Sequence, residues 1–103
     1  TVSGTSISFG SKVTFSAGAS AYYAMCFDSS NNKVVIVYRD ANNSNYGTAI
    51  VGTVSGTSIS FGSPAVFESG AIASVTCAFD SSNNKVVIAY EDDQGKQSCY
   101  CFY

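Results

Sequence analysis

Few side chains in this sequence could do chemistry, and most of them are cysteines and carboxylates. The chain has 103 residues, with four cysteines and no histidine, and Arg39 is its one arginine. Imidazole is the commonest general base near neutral pH, so a Ser-His-Asp or Cys-His catalytic arrangement cannot be built from these residues. We therefore predict a protein that is not an enzyme and that uses no cofactor.

The motif DSSNN occurs at 28–32 and again at 80–84, and its oxygen-bearing side chains alternate as in a calcium-binding loop. However, no glycine follows at the bend and no acidic residue closes the loop. A tight turn, in which the aspartate accepts hydrogen bonds from nearby backbone N–H groups, explains the same letters. We therefore predict turns and no metal site, with calcium binding at Asp28 and Asp80 as the alternative.

The four cysteines permit three disulfide pairings. Cys99 and Cys101 are two residues apart, which places them on one face of a strand and gives poor disulfide geometry. Bridges between the two similar halves of the chain stay open. The alternative is that the thiols are buried as small apolar groups. A redox or nucleophilic role has no base nearby to support it.

The chain consists of two similar halves. TVSGTSISFGS and FDSSNNKVVI each occur twice, and each second copy begins 52 residues after the first (53 − 1 and 79 − 27). Aligning 1–51 with 53–103 gives 27 identical pairs out of 51. We therefore divide the chain into unit 1 (1–52) and unit 2 (53–103), and we call residues that are 52 positions apart equivalent.

Each unit is predicted to form four antiparallel strands. Apolar runs rich in β-branched and aromatic residues, polar turns such as SSNN and SGT, and the lack of helical periodicity favour an all-β fold. Gly62 and Pro64 indicate a bulge or an edge position in the fourth strand. The predicted strands are A at 21–28 and 73–80, B at 33–39 and 85–91, C at 46–54 and 98–103, and D at 5–15 and 57–67.

Four sequential antiparallel strands in about 50 residues is the size of one β-propeller blade. A single blade cannot bury both of its faces, so neighbouring blades have to stack against it. The predicted fold is therefore two four-stranded antiparallel blades that belong to a larger propeller or repeat assembly. Thr1 and Tyr103 both fall partway along strand C, so we expect either a window from a longer array or chains that join end to end.

The runs IASVTCAFDSSNNKVVIAYEDD and TVSGTSISFGSPAVF resemble the blade repeats of sialidase-like β-propellers. They are also similar in style to tandem repeats of phage tail and bacterial surface proteins. The Asp-box of the sialidase family, S-x-D-x-G-x-x-W, would fall at the C–D turn, where this chain reads TVSGTSISF and keeps only an aromatic, Phe9 or Phe61. The sialidase active site also needs an arginine cluster, so the resemblance implies the fold but not the activity.

The two units differ mainly along one edge of the predicted sheets. The A–B and C–D turns are identical, whereas the entry to strand A and the B–C loop differ. Loops on a rigid scaffold commonly carry recognition, so we predict a rim that binds polar ligands such as glycans, with drift in unselected loops as the alternative. The rim residues are Tyr22, Tyr23, Arg39, Asp40, Asn42, Asn43 and Tyr46 in unit 1, and Glu91, Asp92, Asp93 and Lys96 in unit 2.

Two further chemical interpretations concern the same rim. Asn42-Asn43-Ser44 is an N-glycosylation sequon, so Asn42 is a candidate acceptor if the protein passes through a eukaryotic secretory pathway. The carboxylates at the ends of the B strands could act as an acid–base pair, although a solvated strand end explains them equally.

Charge and hydropathy narrow the choice of partner. The net charge is −2 and 12% of residues are charged, which leaves no basic patch for nucleic acid. No apolar run is long enough to span a bilayer. We predict a non-enzymatic structural module of an extracellular or virion-surface assembly, such as a fibre or an adhesin, that stacks with copies of itself or with neighbouring repeats of a longer chain. A glycan-binding propeller lectin is the first alternative, and a fragment of a sialidase-like hydrolase is the second.

Overall fold

The computed structural model describes residues 2–16, 18 and 20–102. These residues form an all-β fold in which every strand pairing is antiparallel. None of them lies in a helix that could cross a lipid bilayer. The strands are β1 (Val2–Ser3), β2 (Ser6–Ile7), β3 (Ser20–Asp28), β4 (Lys33–Asp40), β5 (Tyr46–Ser55), β6 (Ser58–Phe61), β7 (Ala65–Asp80), β8 (Lys85–Asp92) and β9 (Gln97–Phe102).

The strands form one small hairpin, β1–β2, and one sheet of seven strands in the order β3-β4-β5-β7-β8-β9, with β6 also paired to β5. The long strand β7 pairs twice: residues 65–71 pair with β5, and residues 72–80 pair with β8. It therefore joins two three-stranded groups. We call these array 1 (β3, β4 and β5) and array 2 (residues 72–80 of β7, with β8 and β9). The described strands form an open arrangement and not a closed propeller.

Equivalent residues of the two arrays pair in the same register. Phe27 lies opposite Val34 in array 1, and their equivalents Phe79 and Val86 lie opposite each other in array 2. An irregularity interrupts both pairings near the ends of β4 and β8. The two hairpins are thus built alike where their sequences are alike.

The predicted turns form at both equivalent places. Asn32 and Asn84 end the two DSSNN turns with positive φ angles of 54° and 55°. Gly4 and Gly56 are the first residues of the two-residue turns at 4–5 and 56–57, and their φ angles are 60° and 62°. Asparagine tolerates this left-handed conformation better than most residues, and glycine has no Cβ to oppose it.

Strands A, B and C agree with the sequence prediction to within one residue at most of their ends. The exception is the A strand of unit 2, which is the second part of the longer β7. The predicted positions of Thr1 and Tyr103 in strand C lie outside the described residues. The period-2 pattern and the turn residues were therefore sufficient to locate these elements.

Strand D differs from the prediction in both units. In unit 2 it consists of β6 and the beginning of β7, which are separated at Gly62–Pro64, where the sequence indicates an irregularity. In unit 1 the prediction of a strand over 5–15 is wrong beyond Ile7, because residues 8–16 are irregular. The strand β5 pairs with β6 and with β7, whereas residues 8–16 pair with no described strand.

The two arrays pack face to face. Successive side chains of a strand point to opposite faces. Each array therefore has a valine face, on the side of Val35 in array 1 and Val87 in array 2, and a tyrosine face, on the side of Tyr38 and Tyr90. The valine face of array 1 packs on the tyrosine face of array 2. The buried residues of this contact are Val35, Val37, Ile72, Val86, Ile88 and Tyr90.

Because this contact joins two different faces, equivalent residues differ in burial. Val35 and Val37 are 3% and 0% exposed. Their equivalents on array 2 are the half-buried Val87 and the exposed Ala89. Val35 and Val87 are the same residue type, so the neighbouring array decides which of the two belongs to the core.

Replacing Val35 with alanine should lower the free energy of unfolding by about 2 kcal/mol. The change removes buried apolar groups worth about 0.8 kcal/mol per methylene and leaves a cavity. The equivalent change Val87→Ala should cost less than about 1 kcal/mol, because that side chain is only half-buried. Urea denaturation followed by circular dichroism measures both values. Equal losses in the two variants would contradict the face-to-face packing of the arrays.

Candidate functional site

Three parts of the surface are candidates for function, and the first is the tyrosine face of array 1. Tyr23, Met25 and Phe27 on β3 are 55%, 67% and 54% exposed. Val13 and Phe15, from the irregular segment before β3, border the same surface and form an apolar groove of about 520 Å³ with Tyr23 and Met25. Exposed apolar side chains grouped in this way are typical of surfaces that contact a protein, a membrane or a ligand.

The same face is covered in array 2. Cys77 and Phe79, the equivalents of Met25 and Phe27, are half-buried against the valine face of array 1. The exposure of Met25 and Phe27 therefore results from the lack of a neighbouring array on that side of the described chain.

An aromatic pair occupies the centre of each tyrosine face. The rings of Phe15 and Tyr38 lie 5.4 Å apart at an angle of 66°. Their equivalents, Phe67 and Tyr90, lie 5.4 Å apart at 64°. Edge-on contacts of this kind stabilise by about 0.5–1.5 kcal/mol beyond the burial of area. Both tyrosines are buried, so they act as packing residues.

The phenol groups of these two tyrosines stay protonated. Tyr90 donates a hydrogen bond of 2.6 Å to Glu68 Oε1. Burial raises the pKa of Tyr90, and the bond to Glu68 adds to the rise. Burial also raises the pKa of Tyr38, with a further contribution from the charge of Asp40. Neither phenol is therefore available as a base or nucleophile near neutral pH.

The second candidate surface is the valine face of array 2. This face is exposed, whereas array 2 covers the valine face of array 1. Ala78, Ala89, Cys99 and Cys101 are exposed on it. Cys99 lies opposite Ala89, and Cys101 lies opposite Val87. The two cysteines thus share one face of β9, as their spacing predicts.

The covered valine face of array 1 has a glycine where the exposed valine face of array 2 has a larger side chain. A Cβ atom placed on Gly47 would lie 2.6 Å from the ring of Phe67, so the glycine is what allows that ring to reach Tyr90. Cys99 is the equivalent of Gly47. The exposed face therefore carries a larger side chain at the point where an aromatic ring enters the covered one.

The third candidate is the predicted rim. Its neighbouring residues Tyr22 and Tyr23 lie on different surfaces. The guanidinium of Arg39 lies 4.7 Å from the ring centre of Tyr22, which is a cation–π contact, and Arg39 Nε is buried without a hydrogen-bond partner. Tyr23 instead stacks on Tyr38 at 6.4 Å and belongs to the tyrosine face of array 1. Tyr22 is the extra residue of the bulge between Ala21 and Tyr23, so Tyr23 and not Tyr22 lies opposite Tyr38.

The carboxylates of Asp40 and Asp92 accept hydrogen bonds from backbone N–H groups of their own loops. Asp40 Oδ1 accepts the N–H of Asn42 at 3.0 Å. Asp92 Oδ1 accepts the N–H groups of Gln94 and Lys96, both at 2.9 Å. These are turn-forming bonds, and they supply a structural reason for acidic residues at both places.

The B–C loops of the two units lie beside the same part of β7. Ile72 donates its N–H to the carbonyl of Asn45 at 3.0 Å, and Asp93 donates to the carbonyl of Ala71 at 3.1 Å. The variable loops thus meet at one edge, but binding at the rim stays a prediction. Of the other rim residues, Asn42, Asn43 and Lys96 are exposed, Tyr46 is half-buried opposite Asp40, and Glu91 accepts a 3.0 Å hydrogen bond from the Gln97 side chain.

The calcium candidates are turn residues in the structure. Asp28 Oδ1 accepts the N–H groups of Ser30 and Asn31 at 3.0 and 3.2 Å, and Oδ2 accepts the Asn31 side chain at 2.8 Å. Asp80 makes the equivalent bonds. In the part of the chain that the structure describes, no three His, Cys, Asp or Glu residues are grouped to hold a metal ion.

Acid should weaken both DSSNN turns. The hydrogen bond from the Asn31 side chain is the largest cause that lowers the pKa of Asp28, and the Asn83 side chain acts likewise on Asp80. A lowered folded pKa means that the carboxylates stabilise the fold above their ordinary pKa. That contribution is lost as the pH falls through the lowered value.

Thermal unfolding between about pH 2 and pH 6 measures this loss. The double variant Asp28→Asn and Asp80→Asn keeps an oxygen acceptor in each turn but cannot ionise, so it should lose less stability over this range than the wild type. Parallel pH profiles of the two proteins would contradict the assignment.

Comparison with known proteins gives no matching family model, no matching curated protein and no matching solved structure. The geometry of the chain therefore carries the functional interpretation.

Proposed function

We propose that this chain is a non-enzymatic structural repeat module that assembles by stacking β-propeller-like blades at a cell or virion surface. In this interpretation each array supplies strands A, B and C of one blade, and β6 with the first part of β7 supplies strand D of the first blade. The observation that supports the proposal is the contact between the valine face of array 1 and the tyrosine face of array 2.

A contact between two different faces can be repeated without limit. Array 1 keeps an open tyrosine face, and array 2 keeps an open valine face. Such head-to-tail contacts produce rings if the rotation closes, and filaments if it does not. The occupant that each open face fits is therefore another unit of the same repeat, because that occupant already covers the equivalent face within the chain.

The side chains at the proposed contact between chains match in size. Within the chain, Cys26 of one face meets Cys77 of the other. The equivalents at a contact between chains are Ala78 and Met25. A long, flexible methionine against a small alanine fills the space that two cysteines fill.

One position opposes this fit. Phe15 would take the place of Phe67 in the new contact, where it would meet Cys99 and not a glycine. The ring of Phe15 then has to shift, so the contact between chains is weaker than the contact within a chain, and Cys99→Gly should strengthen it.

Cross-linking tests the proposed contact directly. In a background of Cys99→Ser and Cys101→Ser, chains that carry Met25→Cys should form disulfide-linked dimers when they are mixed with chains that carry Ala78→Cys. Light scattering of the wild type should show particles whose size grows with protein concentration. Electron microscopy should show these particles as rings or filaments.

Each single variant incubated alone serves as the control and should stay largely unlinked. Efficient linking of Met25→Cys chains to one another would indicate a symmetric contact between two tyrosine faces. A wild type that stays monomeric at every concentration, with no cross-link in the mixture, would contradict assembly of this chain altogether.

A glycan-binding role at the rim is the second candidate, and the position of both variable loops beside Ala71 and Ile72 supports it. Exposed Tyr22 and the loop amides could contact a sugar. A glycan array should then show a ligand whose binding is lost in Tyr22→Ala but kept in Met25→Ala, which lies on the tyrosine face. An array without any signal for the assembled wild type would count against this role.

A further inference from the structure

Cys26 and Cys77 meet between the two arrays, although they are far apart in the sequence. Cys26 lies opposite Val35 and belongs to the valine face of array 1. Cys77 lies opposite Ile88 and belongs to the tyrosine face of array 2. Both thiols are free and half-buried, and both pack against the same apolar cluster. Cys26 is close enough to Cys77 to contribute to the raised pKa of the Cys77 thiol.

The two repeat units differ at both of these positions. The equivalent of Cys26 is Ala78, and the equivalent of Cys77 is Met25. Each unit therefore has a cysteine where the other has none, and the two changes face each other across the contact. Matched size accounts for the pairing of Ala78 with Met25, whereas a cysteine on both sides of the contact also allows a bond between the sulfurs.

We propose that Cys26 and Cys77 are a disulfide-forming site that links the two repeat units covalently when the protein is in an oxidising environment. Such a bond closes a loop of about 50 residues, which restricts the unfolded chain strongly. It also holds the valine face of array 1 on the tyrosine face of array 2, a contact that is otherwise made by apolar burial.

A small-molecule disulfide, R–S–S–R, is the oxidant. The Cys26 thiolate attacks one sulfur of R–S–S–R, and the other sulfur leaves as RSH after taking up a proton. Cys77 loses its proton and attacks the Cys26 sulfur of the mixed disulfide, and a second RSH leaves. The two protein thiols thus lose two hydrogen atoms, and R–S–S–R is reduced to two RSH.

The surroundings of Cys77 determine when this exchange is fast. Burial raises the pKa of the Cys77 thiol to about 12, and the neighbouring Cys26 adds to the rise. A thiol with this pKa is protonated at neutral pH and is a slow nucleophile in the folded chain. The bond should therefore form during folding, or faster as the pH rises, and the same burial should then protect it from thiol reductants.

Refolding the intact chain in a mixture of oxidised and reduced glutathione tests the proposal. Peptide mapping by mass spectrometry should find one linked pair of peptides, containing Cys26 and Cys77, in monomeric chains. Reducing this bond should lower the midpoint of thermal unfolding by roughly 10 °C.

The repeat supplies matched controls. The double variant Cys26→Ala and Cys77→Met introduces the pair of residues that the other unit has at the equivalent positions, so it keeps the matched sizes of the two side chains. This variant should lose the linked peptide and the effect of reductant on thermal unfolding. A variant with Cys99→Ser and Cys101→Ser should keep both.

Free thiols at positions 26 and 77 after oxidative refolding would overturn the proposal. Links that join either cysteine to Cys99 or Cys101, in place of each other, would also overturn it. The bond lies within one chain, so its presence in a chain that never assembles would support this site while contradicting the proposed function.

Discussion

Burial of apolar surface between two sheet faces is the interaction on which the rest of this structure depends. Three antiparallel strands with two apolar faces cannot bury both of them alone, and each fully buried aliphatic side chain stabilises a fold by about 1.5–3 kcal/mol. The chain meets this constraint by packing its two arrays against each other. Val37 and Ile88, each 0% exposed, lie at the centre of that contact.

The local features of the chain bring these faces together. The DSSNN turns fix the register of both hairpins, and a single-residue shift there would move every apolar side chain of the strand to the opposite face. The long strand β7 pairs first with β5 and then with β8, so it carries the chain from one array to the other without a separate connection. Gly47 has no Cβ, so the ring of Phe67 can lie against it and reach Tyr90 of array 2.

The contact uses different faces of the two arrays, and this asymmetry explains why the proposed function is an assembly. A symmetric contact between the two tyrosine faces would have buried both of them, and neither would be free to contact a further unit. Instead one tyrosine face, which carries the exposed Met25, and one valine face stay open. The Cys26 and Cys77 pair distinguishes the contact within a chain from the proposed contact between chains, because only the former has a cysteine on both sides.

The sequence by itself determined the strands A, B and C, the turns between them and the equivalence of the two units. These features depend on residues close together in the chain: Asp28 bonds to residues two and three positions ahead, and alternation places Cys99 and Cys101 on one face. The sequence also indicated that the faces of each unit require a neighbour.

Only the tertiary structure decided which face meets which, because that choice depends on shapes that no local pattern records. It placed Tyr23 on an apolar face although Tyr22 stayed at the rim, since a bulge inserts Tyr22 as an extra residue and puts Tyr23 opposite Tyr38. It left residues 8–16 without strand pairing, because a strand needs a partner that lies elsewhere in the chain. It also brought Cys26 to Cys77 through the packing of two sheets, which sequence spacing alone left as one of several pairings.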